Sequence, residues 1–337
     1  MLRLIPGLII LLLAVSLSSC FKEDEAVLPH TPGDYITDTV ALTETYKYQV
    51  FYSLSDSNVV ASLPKTSWDL GFENSPNGWR VILNTSCFMK SAYLSDHIFG
   101  IPADTMGVSW LFNPSDGSAD SLAAGKWFTI ENSDTIGINR ILLIDRGLDE
   151  NGISRGFYQF VIDSLAGGTY YFRIAAMNGT NPRSFAVAKQ GGANNILFSI
   201  SNPTTIVEEP QSSDWDLLFT QYTTLLFTDV GDPYPYLVTG VLMNPKFVEV
   251  AVDSLSAFES IDFEKAQTMD FSKLADKIGY SWKKYDFDAG IYTVNSDEIF
   301  VIRDTKGFLY KFRFVGFYNY NNNRSEKGYP SFEYQKL

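Results

Sequence analysis

"TSWDLGF", Thr66 to Phe72, recurs later in the chain as "SDWDLLF", Ser213 to Phe219. Each run sets three bulky apolar residues at alternate positions: Trp68, Leu70 and Phe72, then Trp215, Leu217 and Phe219. Such spacing puts the three side chains on one face of a β-strand and turns Asp69 or Asp216 to the other. Burying a Phe-sized side chain contributes roughly 1.5–3 kcal/mol. Both runs therefore read as core anchors of a sheet rather than as ligand contacts.

Other blocks recur in the same order. "VFYSLS" (Val50–Ser55) matches "ILFSIS" (Ile196–Ser201), and "MGVSW" (Met106–Trp110) matches "IGYSW" (Ile278–Trp282), which makes Trp110 and Trp282 a second pair of repeat anchors. "RILLIDRG" (Arg140–Gly147) answers "EIFVIRD" (Glu298–Asp304), and "GGTYYFRI" (Gly167–Ile174) answers "KGYPSFEY" (Lys327–Tyr334). The preserved order predicts a tandem duplication of a mostly β unit. "KQGGAN" (Lys189–Asn194) holds two glycines that permit a sharp change of direction, which sets the predicted domains at 44–190 and 191–337.

Between the anchors the pattern is strand after strand. In "EIFVIRDTKGFLYKFRFVGF" a strand enters through Ile299–Ile302, a turn follows at Asp304–Gly307, and the returning strand alternates Tyr310, Phe312 and Phe314 with Lys311 and Arg313. That alternation predicts an antiparallel sheet covered on one side. Helical periodicity is confined to Ser256–Lys277, enough for one or two short helices. The expected fold class is mainly β, with two tandem antiparallel sheet-rich domains.

The N-terminus predicts export. Arg3 precedes an apolar run, Leu4 to Val15, and then "LSSC", Leu17 to Cys20. This is a signal peptide over residues 1–19. Its apolar part is too short for a span of roughly 20 residues. "LSSC" resembles a bacterial lipobox, which implies that Cys20 becomes the acylated first residue of the mature chain. "FKEDE" (Phe21–Glu25) behind it is similar to the surface-export signal of Bacteroidota lipoproteins. Residues 20–43, with Pro29, His30, Pro32 and Gly33, read as a flexible tether.

The chain of 337 residues has two cysteines and a net charge of −13. With Cys20 acylated, Cys87 has no partner, so a core rather than disulfides holds the fold. An acidic chain without a basic patch excludes nucleic acid. No G-x-S-x-G, H-E-x-x-H, P-loop or G-x-G-x-x-G run is present, and a His-based triad would have to use His97, so no enzyme is expected. "DFDAG" (Asp286–Gly290) reads as a turn rather than a calcium loop.

The order of a "WDL" strand, a "G-x-S-W" stretch, the Glu298–Asn319 hairpin and the closing "GYPSFEYQKL" resembles the HmuY family. The resemblance is clearest from about Asn194 to Leu337, and Thr43–Gln190 looks like a divergent second copy. It implies a β-rich outer-membrane lipoprotein of the Bacteroidota, displayed at the cell surface, that binds haem or a related small ligand and works with an outer-membrane receptor. The family's known haem binders hold iron between two histidines or two methionines. One ligand loop corresponds here to Trp282–Asp297, which has neither. Only His97 remains as a histidine in the folded region. Methionine or tyrosine could ligate iron in principle; Met89, Met106, Met177, Met243 and Met269 are the candidates, each of which also reads as core filler, and Met89, close to His97 in sequence, could face one pocket with it. The alternative is an interaction lipoprotein that keeps the fold without haem.

Overall fold

The computed structural model describes residues 31–337 apart from 120, 133, 204, 205, 322 and 323. The leader, Cys20, the charged run behind it and His30 lie outside the described residues. Strand follows strand: β1 (Tyr35–Thr39), β2 (Tyr48–Ser53), β3 (Asn58–Pro64), β4 (Leu70–Glu73), β5 (Val81–Leu83), β6 (Lys90–Tyr93), β7 (Phe128–Glu131), β8 (Asp134–Gly137), β9 (Leu142–Asp145), β10 (Phe157–Ala166) and β11 (Thr169–Ala176). A second series follows: β12 (Arg183–Ala188), β13 (Asn195–Phe198), β14 (Ile206–Val207), β15 (Leu217–Phe227), β16 (Pro233–Met243), β17 (Glu249–Asp253), β18 (Lys283–Asp286), β19 (Ile291–Val294), β20 (Ile299–Arg303), β21 (Leu309–Asn321) and β22 (Arg324–Lys336). The one α-helix among the described residues, Phe263–Gln267, is capped by Asp262, whose Oδ1 accepts the Lys265 N–H. The mainly β class is as expected.

The pairings of the two series correspond strand by strand. β4–β5, β6–β9, β9–β10 and β10–β11 in the first match β15–β16, β17–β20, β20–β21 and β21–β22 in the second, all antiparallel. The opening strands, however, are exchanged. β1 and β2 join β22 and β15, while β13 joins β4. Residues 32–337 consequently form one compact unit.

The two cores record the exchange. Val50, Tyr52 and Leu54 are buried with Leu217, Phe219, Trp282, Phe312, Phe332 and Tyr334. Ile196, Phe198 and Ile200 are buried with Leu70, Phe72, Phe160 and Phe172. Each core thus draws a strand from across the 190/191 boundary. The stretch expected as a tether also reaches less far than residue 43. β1 pairs with β22, and Val40 and Leu42 are fully buried, because the edge of β22 offers unpaired backbone groups and the second core accepts their side chains.

Asp69 and Asp216 lock the exchange in the same way. The Asp69 N–H donates to Phe198 O at 2.8 Å and its Oδ2 accepts Ile200 N–H at 2.7 Å. The Asp216 N–H donates to Tyr52 O at 2.8 Å and its Oδ2 accepts Leu54 N–H at 2.8 Å. Asn84 and Asn244 close each turn: their side-chain amides donate to Lys65 O and Trp68 O, and to Ser212 O and Trp215 O.

Three expectations differ in detail. β4 and β15 begin at Leu70 and Leu217, so alternation does not extend back to the tryptophans. Trp68 instead turns to the opposite side of its sheet, where its Nε1 donates to Gln49 Oε1 at 2.7 Å, and Trp215 meets Phe51 edge-on at 5.0 Å. The hairpin sheet is covered on its outer face as well, since Ile299, Val301 and Leu309 are buried under Phe258, Ile261 and Ala266. Trp110 is half-buried beneath Lys90, whereas the fully buried counterpart of Trp282 is Trp127. Each of these two precedes a two-stranded hairpin, and each backbone carbonyl accepts the N–H that follows the hairpin, Ile138 or Asn295.

Candidate functional site

His97 lies on the loop that leaves β6. Gln159, fully buried on β10, clamps this loop: its Oε1 accepts Gly100 N–H at 3.0 Å, and its Nε2 donates to Ile101 O at 2.6 Å and Met177 O at 3.1 Å. Ala103 N–H donates to Met177 O at 2.9 Å. Gly179 has φ +79°, and a Cβ there would stand 2.3 Å from Gly100 O, so only glycine lets the turn after β11 approach the loop this closely.

The loop borders an open cavity of about 570 Å³, walled by Tyr93, Leu94, His97, Asp104, Met106 and Leu111 among others. That volume lies within the roughly 300–1,000 Å³ of small-molecule sites. His97 Nε2 is 3.1 Å from Ile101 O. The tautomer assigned from this contact puts the hydrogen on Nε2, donating to the carbonyl, and leaves the Nδ1 lone pair free to accept or ligate. Met106 is 81% exposed and brings a thioether to the same cavity. Beside it, the Arg140 guanidinium lies 4.8 Å over the ring of Tyr93, and its Nε is buried with no hydrogen-bond partner among the described residues.

An imidazole nitrogen and a thioether beside the single aromatic ring of Tyr93 suit a ligand with a metal centre. Haem has a metal centre of the kind these two groups can ligate; Arg140 is not among the residues that line the cavity and meets it only through its stack on Tyr93. The structure does not bring His97 and Met89 together. Met89 is fully buried in the first core beside Cys87. Met243 lies in the second core, Met269 packs on the outer cluster, and Met177 contributes its carbonyl. Cys87 is a buried free thiol, and burial raises its pKa above the ordinary value.

The Trp282–Asp297 stretch forms an aromatic hairpin. Trp282 stacks on Phe314 at 3.8 Å, and the Asp286–Gly290 turn closes on Asp286 Oδ1, which accepts the N–H groups of Asp288 and Ala289. Lys283 is caged by Trp282, Phe317 and Tyr292 at 4.5, 5.1 and 5.7 Å, and its Nζ donates to Thr239 O. Burial pushes its pKa down to about 7. Among the described residues no group of three or more His, Cys, Asp or Glu side chains is placed to hold a metal ion.

Gln159, Arg140 and the placement of Met106 were not legible from spacing. Arg140 opens "RILLIDRG", but nothing local distinguishes it from any surface arginine.

Comparison with known proteins supports the C-terminal half. No curated protein matches the chain. Among solved structures, apo PinO from Porphyromonas gingivitis is 16% identical with a TM-score of 0.19, over 56% of this chain and 87% of that one. A candidate HmuY-like heme-binding protein from Bacteroides vulgatus is 13% identical with a TM-score of 0.18, over 52% and 90%. A candidate lipoprotein from Bacteroides fragilis is 16% identical with a TM-score of 0.18, over 52% and 92%. Residues 192–334 match the family model of HmuY protein, so the C-terminal half of this chain carries that family's sequence pattern.

Proposed function

We propose that this chain is a non-catalytic, lipid-anchored binding protein of the outer membrane, displayed at the cell surface, whose ligand is haem or a related small molecule. The observation that carries the reading is the shared cavity of His97 and Met106, with Arg140 stacked on Tyr93 of its wall. The HmuY match over residues 192–334 supports it, as does the "LSSC" leader ahead of Cys20. The strand-by-strand correspondence of the two series supports a second, divergent HmuY-like unit in the N-terminal half.

In this reading His97, through Nδ1, and Met106, through its thioether, would hold the metal. Haem would supply the redox-active iron; the protein's part is to hold it and exclude water. One histidine and one exposed thioether predict binding near 1 µM, about −8 kcal/mol. Titrating ferric haemin into wild type, His97→Ala and Met106→Ala tests this by the Soret band. A saturable shift that weakens at least tenfold in His97→Ala is expected. A shift that His97→Ala leaves untouched removes the cavity from the reading, and no shift in wild type moves the function to an interaction lipoprotein. The exposed aromatics Tyr234, Tyr236, Tyr285 and Phe287 favour that second reading, since solvent-facing aromatic side chains of this kind serve protein contacts.

A further inference from the structure

A second cavity, of about 180 Å³, lies away from His97, between the outer faces of the two exchanged sheets. Alternation puts it there. Val50 and Tyr52 face one core, so Phe51 faces the seam; Ile196 and Phe198 face the other core, so Leu197 faces the seam. Ile82 of β5 and Leu242 of β16 stand in corresponding places and line it too, with the ring of Trp68. The walls are thus mainly apolar, with Gln49, Asn113 and Thr220 among their polar side chains, and come from both series of strands. An apolar cavity of about 150 Å³ is enough to take benzene.

One end is polar. Glu209 lines the cavity and accepts the Asn195 N–H with its Oε2. Among the described residues no cation pairs with it. Arg80, the other charged side chain on the wall, is already held by Glu73 through two hydrogen bonds of 2.9 Å.

We propose that this seam is a binding site for a small primary amine with an apolar body the size of one aromatic ring, its ammonium paired with Glu209. The ring fills the space between Phe51, Leu197 and Leu242, and the ammonium stabilises the ionised form of Glu209, for which no side chain among the described residues provides a counter-charge. The site is independent of the haem reading. Burial pushes the Glu209 carboxyl up to about 8 against the opposing hydrogen bonds from Asn195. At pH 7 the empty cavity therefore holds mostly the neutral acid, and amine binding drives one proton from Glu209 into solvent.

Benzylamine, toluene and benzoate are the probes, titrated calorimetrically into the mature chain at pH 7 in two buffers of different ionisation enthalpy. Saturable benzylamine binding with proton release is expected, at least tenfold weaker in Glu209→Gln and lost in Leu242→Trp, which fills the space. Glu209→Gln should leave the haemin titration unchanged, which separates this site from the His97 cavity. Toluene binding as well as benzylamine, indifferent to Glu209→Gln, overturns the amine assignment. Preference for benzoate overturns it in favour of Arg80. No saturable binding of any probe overturns the site itself.

Discussion

Asp69 and Arg146 meet as a buried, two-point ion pair, with Nε to Oδ1 at 2.9 Å and Nη2 to Oδ2 at 3.1 Å. Arg155 adds a second guanidinium at 2.9 Å. In the second series Asp216 holds the matching strand, but the residue corresponding to Arg146 is Asp304, and among the described residues no guanidinium pairs with Asp216. Burial raises the pKa of both carboxyls, and for Asp304 the charge of Asp216 adds to it. One strand exchange is therefore locked by an ion cluster and the other by carboxyl–backbone hydrogen bonds.

Removing the Asp69 carboxylate leaves two buried arginines uncompensated and the Ile200 N–H unsatisfied. Asp69→Ala should cost about 3–5 kcal/mol, read as a lower urea midpoint with an unchanged slope. A loss below about 1 kcal/mol would show that water reaches the cluster and solvates it.

Asp304→Asn removes a buried negative charge while keeping an oxygen for the N–H groups of Lys306 and Phe308, which Asp304 Oδ1 accepts. The folded pKa of Asp304 is raised, so between the ordinary 3.8 and that higher value the folded chain holds more protons, and stability falls as pH rises through the window. The variant should melt higher than wild type at pH 7 and equally at pH 3. A melting difference independent of pH would mean that the charge is not the cause.

Lys283 titrates in the opposite sense. Its pKa falls from the ordinary 10.5 to about 7 on folding, because burial disfavours the ammonium. Between pH 7 and 10.5 the unfolded chain holds more protons, so stability rises with pH there; below pH 7 the full penalty applies. Lys283→Met should be more stable than wild type by about 1–4 kcal/mol at pH 6, with the gap closing towards pH 10.5. A variant less stable at pH 6 would show that the aromatic cage outweighs the cost of desolvation.

A fragment of residues 191–337 lacks β1 and β2, which complete the second core and cover the edges of β22 and β15. It should lack a cooperative melt when expressed alone, and fusing residues 32–66 to its N-terminus should restore one. Cooperative melting of the bare fragment would mean that β13 can take the place of β2 within its own series.

At the membrane end, Cys20→Ala should abolish incorporation of a fatty-acid probe, because Cys20 is the only cysteine in a lipobox setting. Label that persists on the variant would point to acylation elsewhere.

The alternating aromatic runs determined by themselves that this chain is antiparallel β, that the "WDL" runs open equivalent strands, and that Asp286–Gly290 is a turn. These features depend on period-2 burial and turn chemistry, which act between near neighbours. Tertiary structure alone decided which series each opening strand joins. "VFYSLS" and "ILFSIS" suit either partner equally, and the choice rests on Asp216 meeting Leu54 and Asp69 meeting Ile200, contacts between residues far apart in the chain. It likewise set Met106 rather than Met89 beside His97. A methionine's part, core filler or cavity wall, depends on which way a long loop folds, and here Gln159 settles that from a strand some sixty residues on, at a separation that no local pattern records.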